Sequence, residues 1–399
     1  MKYKFYRKVL KNGLTVLFEQ RKNTKVVSVA FAVRYGGAYE KIEEKGLSHF
    51  IEHLLYKGTS NRNALQISKE IEKKGGVLNG FTGEQITAYW CKMPSKHLNV
   101  ALDVLGDMVK NPIFDEKEVE KEREVILEEI KMRRDSPITY VHDKIQSYLF
   151  KGSLGLDVIG TEDSLKGIDR NKIIERFEEI YSTNNLILCV VGDAEFKDIC
   201  KFAENYFEKS ESRILDPKIA GHNKKGIEKR RGVDQANLIF AYHVPNAKNN
   251  KCYAAQILNA LMAGGLSSRL FQEIREKRNL AYGVKGYCSI DKDYGYNSIY
   301  VGTSKENVKK VRLLILEEFK KIANLNEEEL EEIKEELIGI NRISREDSQG
   351  QMLELLSAEI AGRTKDSYKY EKQIRSIKLG DVKKIAAFSD YSIFVLVPE

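Results

Sequence analysis

The sequence predicts an α+β protein made of two homologous α/β sandwich halves in one chain, each a mostly antiparallel sheet with helices packed on it. Three observations predict it. The first half reads strand, strand, helix, helix, strand, strand, helix, and the second half repeats that order. Sliding one half over the other by about 206 positions lays Gly58 on Gly264 and keeps the strand, helix, helix, strand order without a gap. With 399 residues, 42% of them hydrophobic, the chain has enough apolar side chain for two cores.

Taken in order, "MKYKFYRKVLKNGLTVLFEQ" alternates apolar and polar residues about a Gly turn and predicts a hairpin of the mature fold, with no apolar h-region before a cleavage site. "VVSVAFAVRYG" is a strand, "GLSHFIEHLLYKG" has helical apolar spacing, and "NALQISKEIEKKGG" is an amphipathic helix closed by Gly75 and Gly76. "ITAYWCKM" is a strand, and "HLNVALDVLGDMVKNP" is a helix stopped near Pro112. A long charged helix is expected from about Asp115 to Arg134, and "NLILCVVGD" is a strand ending at Gly192.

In the second half "ANLIFAYHVP" is a strand, "CYAAQILNALMAGG" an apolar helix and "SSRLFQEIREKRN" an amphipathic helix. "YGVKGYCSI" and "NSIYVGTS" are strands, and "KENVKKVRLLILEEFKKI" is a helix. The polar stretch between the halves predicts a linker at 208–232, dividing an N-terminal domain, 1–207, from a C-terminal domain, 233–399.

Composition narrows the function. The net charge of +7 is a small difference between 66 basic and 59 acidic residues, without a long block of one sign, and no nucleic-acid-binding motif accompanies it. No run approaches the ~18 apolar residues of a membrane span. Five scattered cysteines without a CxxC pair suggest reduced thiols and a cytoplasmic protein, not a disulfide framework or a thiolate zinc site.

Against that background "KGLSHFIEHLLYKGT" is unusual. His49, Glu52 and His53 stand at i, i+3 and i+4, on one face of an otherwise apolar helix, so two imidazoles can offer nitrogens to one ion with a carboxylate beside them. Under the 206 offset they fall on Ala255, Leu258 and Asn259, so the sister helix does without ionisable groups at all three positions. A catalytic zinc takes three protein ligands and keeps one position open. In "DEKEVEKEREVILEEIKMRRD", Glu122 and Glu129 are seven apart on a stripe with Val119, Val125, Ile126 and Met132, and acids on an apolar stripe are paired or metal-bound. The third ligand is therefore Glu129 or Glu122; Glu118 and Glu128 flank the stripe and face water.

"LSHFIEHLLYKGT", "GGVLNGFTGEQITAYW", "EREVILEEIKM" and "GGLSSRLFQEIREKRNLAYGV" together resemble the signatures of the pitrilysin or insulinase family of inverted-motif zinc peptidases, in that family's order and spacing. The likeness is to its short branch, which includes the mitochondrial processing peptidase and bacterial relatives. The resemblance implies one zinc per chain on His49, His53 and Glu129, with Glu52 as the base that takes a proton from the attacking water. It places Glu122 behind the ligands, orienting them. It implies that Gly76, Asn79 and Phe81 lie on a strand edge where peptide substrate adds, and that Arg275 and Tyr282 hold the substrate carbonyl and its oxyanion. Because one chain carries both motifs, it further implies a clamshell-forming homodimer with composite sites, acting on peptides, with no nucleic-acid or membrane partner.

Overall fold

The computed structural model describes residues 4–399. It holds two sheets of the same topology and a short two-stranded ribbon, Phe150–Lys151 with Ala220–Gly221. In the first sheet the strands run in the order Lys4–Val9, Thr15–Gln20, Leu186–Gly192, Val26–Val33, Thr87–Pro94 and Val77–Thr82. Only Thr15–Gln20 and Leu186–Gly192 pair in parallel. In the second the order is Lys225–Arg230, Ser392–Pro398, Ala236–His243, Gly295–Thr303 and Ala281–Ile290, with the first pair parallel. The first sheet is therefore the second plus one further edge strand, the first arm of the predicted N-terminal hairpin. Met1 to Tyr3 of that hairpin lie outside the described residues.

The chain forms two compact units, and they are not contiguous in sequence. The first takes residues up to Ile130, Asp157–Lys218 and Ser344–Ile360; the second takes Lys131–Leu156, Ile219–Ile343 and Ala361–Glu399. Within the first, helix Ser348–Ile360 packs on strands Leu186–Gly192 and Val26–Val33; within the second, helix Pro137–Leu149 packs on Ser392–Pro398 and Ala236–His243. A division by sequence order alone has no sign of this exchange, because both helices are simply amphipathic. Helix Ser348–Ile360 explains why "LILCVVG" is buried at every position: a central strand covered on both faces reads as a continuous apolar run.

Two expectations are corrected. The stretch expected as linker contains strand Lys225–Arg230, paired along its length with Ser392–Pro398. Its charges, Lys225, Glu228, Lys229 and Arg230, suit an edge strand with one side in solvent, so polarity there marks an edge rather than a connection. "SSRLFQEIREKRN" is not a regular amphipathic helix; its centre, Phe271–Glu276, is wound as a π-helical turn.

Helices Leu47–Leu55 and Leu98–Lys110 both lie on the sheet at its Thr87–Pro94 side. The first comes close because Gly80 has no side chain: a Cβ there would stand 2.5 Å from Tyr56 Oη and 2.9 Å from the Ala88 carbonyl. Gly286 plays the same part in the second unit, where a Cβ would stand 2.8 Å from Asn259 Oδ1.

The loop leaving helix Leu47–Leu55 is fixed by Asp107, which is fully buried. It accepts from Thr59 Oγ1 at 2.6 Å, Asn61 Nδ2 at 2.7 Å, Arg62 at 2.8 Å and Asn111 Nδ2 at 2.8 Å. Burial alone would raise the Asp107 carboxyl, but hydrogen bonds from Asn111, Thr59 and Arg62 hold it below its ordinary value. Asp107→Ala is expected to cost about 3 kcal/mol, seen as a lower urea midpoint, because it takes the acceptor from the Thr59 hydroxyl and the Asn61 and Asn111 amides at once. A depressed carboxyl stabilises the fold above its unfolded pKa of about 3.9 and loses that contribution as pH falls through the folded value, so Asp107→Asn should flatten the acid limb below about pH 4.

Candidate metal centre

Helix Leu47–Leu55 buries Leu47, Phe50, Ile51, Leu54 and Leu55 against the sheet and turns His49, Glu52 and His53 to one side. Its start is held by a carboxylate from outside the helix. Glu40 accepts from the N–H of Gly46 at 2.9 Å and of Ser48 at 2.6 Å, satisfying donors that a helix start leaves open. Gly46 takes a left-handed conformation, φ 96°, to bring the chain into this cap.

The third donor comes from helix Glu116–Asp135. Its buried residues are Val119, Glu122, Arg123 and Ile126, while Val125 and Met132 are exposed. The stripe is thus rotated from the expected one: 119, 122, 126 and 129 follow helical spacing, and Val125 and Met132 sit about one residue off it. Glu122 and Glu129 stay on the stripe, and Glu128 faces out.

The geometry separates the two acids. Glu129 Oε2 lies 3.7 Å from His49 Nε2 and 3.8 Å from His53 Nε2. Ligands about 2.0–2.1 Å from a common ion stand roughly 3.3–4.1 Å apart, so these separations suit one ion. The donor atoms of His49, His53 and Glu129 all lie within 4.8 Å of one another. Glu122 Oε2 instead contacts the other side of the His53 ring, 3.1 Å from Nδ1, and its Oε1 takes Lys57 Nζ at 2.6 Å. A carboxylate paired with a lysine only accepts, so Nδ1 carries the proton and Nε2 turns its lone pair towards Glu129 and His49. Two imidazole nitrogens and a carboxylate oxygen form the donor set that zinc takes with a position left open.

Glu52 is on the same face but outside the donor set. Thr82 Oγ1 donates to its Oε2 at 2.5 Å, and burial pushes its carboxyl above the ordinary value against the opposing pull of Thr82 and His53. Such a group holds a proton more readily than a solvated carboxylate does.

The remaining candidates fall in two places. Strand Val77–Thr82 is a sheet edge, paired only with Thr87–Pro94 among the described strands. Asn79 is exposed and its Oδ1 accepts from the Gly80 N–H; Phe81 is half-buried. Gly76 has a packing reason of its own, since a Cβ there would stand 2.7 Å from Ile71 Cγ2. Arg275 and Tyr282 belong to the second unit. Arg275 lies in the π-helical turn with its guanidinium 4.8 Å from the centre of the Phe271 ring. Tyr282 is the extra residue of a β-bulge, where pairing passes from Ala281 to Gly283, and it is 75% exposed.

Lys57, Thr82 and Glu40 were not singled out by sequence reasoning. Lys57 stands one helical turn beyond His53, a usable signal; the roles of Thr82 and Glu40 depend on which elements meet.

Repeated α+β halves with a two-histidine, one-glutamate centre in the first half define the class, and comparison with other proteins agrees. The profile described as "Insulinase (Peptidase family M16)" matches residues 15–162, and that described as "Peptidase M16 inactive domain" matches 167–337. The chain is 30% identical, over 98% of each sequence, to a protein of Bacillus subtilis named as an uncharacterized zinc protease. It is 35% identical to one so named in Rickettsia felis, over 84% of this chain and 83% of that one. Among solved structures, a protease from Helicobacter pylori superposes with a TM-score of 0.92 at 24% identity, covering 100% of both chains. A chain of complex III from Candida albicans superposes at 0.84 with 16% identity, over 98% of this chain and 95% of that one. The chain belongs to the insulinase family, peptidase family M16. The half that matches the inactive-domain profile is the one with Ala255, Leu258 and Asn259 in place of the polar trio.

If Glu122 orients His53, Glu122→Ala should retain the fold and weaken zinc binding about 10–100-fold in competition with a chromophoric chelator.

Proposed function

We propose that the chain is a zinc-dependent endopeptidase or oligopeptidase of the cytoplasm, with one zinc per chain on His49, His53 and Glu129, hydrolysing unfolded peptides or presequence-like segments in an enclosed chamber. The observation that carries this reading is Glu52. A structural metal site has no need of a half-buried carboxylate that is not a ligand, whereas hydrolysis needs a base within reach of the water. Bound zinc would supply Lewis-acid polarisation of that water and of the scissile carbonyl.

The chain's own residues do the rest. An extended peptide pairs with the open edge of strand Val77–Thr82, beside Asn79 and Phe81, which presents one peptide bond to Glu52. Glu52 accepts the proton of the attacking water and passes it to the leaving amine, so both bond-making and bond-breaking use one carboxyl. Arg275 and Tyr282, supplied by the same subunit or by the partner in a homodimer, donate to the oxyanion. The π-helical turn and the bulge that carry them support this role, since both irregularities recur at functional sites. Free thiols at all five cysteines, four of them buried, and the absence among described residues of any helix long and apolar enough to cross a membrane are compatible with the cytoplasm.

A second reading, a non-catalytic structural subunit, draws on the likeness to a complex III chain. It predicts no hydrolysis with or without metal. Glu52→Gln is expected to keep stoichiometric zinc and to cleave a quenched unfolded peptide about 10²–10⁴-fold more slowly, while His49→Ala and Glu129→Gln lose the metal. A Glu52→Gln protein as fast as wild type would refute the mechanism.

Tyr282→Phe should lower kcat about 10²–10³-fold with zinc unchanged. Mixing Glu52→Gln with Tyr282→Phe subunits then reports the assembly. Recovery to about a quarter of wild-type activity means that the partner supplies the tyrosine, because half of random dimers would carry one intact site of two; no recovery means that each subunit supplies its own.

A further inference from the structure

We propose that Thr82 is the positioning residue for Glu52, and that it ties the orientation of the base to the sheet edge on which substrate pairs. The inference rests on the reading of Glu52 as the base. Strand Val77–Thr82 meets the carboxylate at both oxygens. Thr82 Oγ1 donates to Oε2 at 2.5 Å, and Gly80 leaves open the space beside Oε1, where a Cβ would stand 3.1 Å away. Side chains alternate along a strand, so Gly80 and Thr82 face Glu52 while Asn79 and Phe81 point to the other side.

The strand end that carries Thr82 is itself pinned to the start of the metal helix. In the hairpin turn that follows, the Gly83 N–H donates to Ile86 O at 2.8 Å. The Gly83 and Glu84 carbonyls accept from Gly37 at 3.0 Å and Ala38 at 2.9 Å. Lys45, fully buried and next to the Gly46 cap, donates to Gly37 O at 2.8 Å and lies 3.6 Å from Glu84. Thr82 therefore reaches Glu52 from a fixed base. A peptide paired along the outer edge of the same strand would steady that strand, so binding and orientation of the base act together. Thr82 touches neither metal donor nor, by its direction, the paired peptide; it acts through Glu52.

Thr82→Val keeps the shape and removes the donor. Expected results are unchanged zinc content, a kcat lowered about 10–100-fold with KM within about twofold, and recovery to within about threefold in Thr82→Ser. In a Glu52→Asp background, whose shorter carboxylate cannot reach Thr82, the same change should alter kcat by less than about twofold. Full activity in Thr82→Val, failure of Ser to rescue, or an equal loss in both backgrounds would overturn the proposal. A crystal structure of metal-free Thr82→Val gives a readout apart from catalysis: the Glu52 carboxylate should leave its place beside residue 82, and an unmoved carboxylate overturns the assignment. Should wild type cleave no peptide, the proposed function fails, and that structure still decides whether Thr82 holds Glu52.

Discussion

The centre depends on how the buried Glu122 carboxylate is paid for. Only 2% exposed, it lies where helix Glu116–Asp135 meets helix Leu47–Leu55, and a lone carboxylate there would be expensive. Lys57 Nζ at 2.6 Å and His53 Nδ1 at 3.1 Å satisfy its two oxygens, and both belong to the segment of the metal helix and the turn after it. That pairing sets the register of one helix on the other. With Glu122 placed, Glu129 follows two turns on, at nearly equal distances from both Nε2 atoms. One contact thus fixes a tautomer, a helix register and a third donor.

Several other groups hold the metal helix in place. Glu40 caps its start, Asp107 gathers the loop after its end, and Phe50 receives the Arg123 guanidinium at 5.3 Å from its ring centre. The functional face can then carry imidazoles and a carboxylate without an apolar partner, because the opposite face and both ends are secured. Strain is kept low where it would matter: the left-handed residue at the helix start is a glycine.

Much of this was legible in the sequence because it is periodic. The i, i+3, i+4 trio, the seven-residue spacing of Glu122 and Glu129, and the repeated order of strands and helices follow from local geometry alone. What escaped depends on which elements meet. Whether Glu122 or Glu129 meets the Nε2 atoms turns on how far one helix is shifted along the other, since both acids share one face, and Val125 and Met132 look as apolar on paper as Val119 and Ile126. Lys225–Arg230 hides because an edge strand with solvent on one side need not look hydrophobic. The helices Ser348–Ile360 and Pro137–Leu149 are set apart by the unit each one covers, and nothing in their sequence pattern says which that is.

The repeat shows how a single topology separates two kinds of chemistry. In both units a helix closes on an edge strand at a glycine, Gly80 or Gly286, so the same close approach exists twice. In the first unit it brings Glu52 to Thr82; in the second the facing helix carries Asn259 and has Leu258 where the first has Glu52. The second unit departs from regularity elsewhere, at the π-helical turn of Arg275 and the bulge of Tyr282. An extra residue in a helix or strand weakens the local hydrogen-bond ladder and turns a side chain away from its regular direction. A tyrosine 75% exposed adds little to the core of its own unit, so the bulge is not explained by packing there. Sequence periodicity is blind to such insertions because they shift the phase of the pattern without changing its composition, and for that reason the Arg275 and Tyr282 pair is marked in the sequence by family resemblance alone.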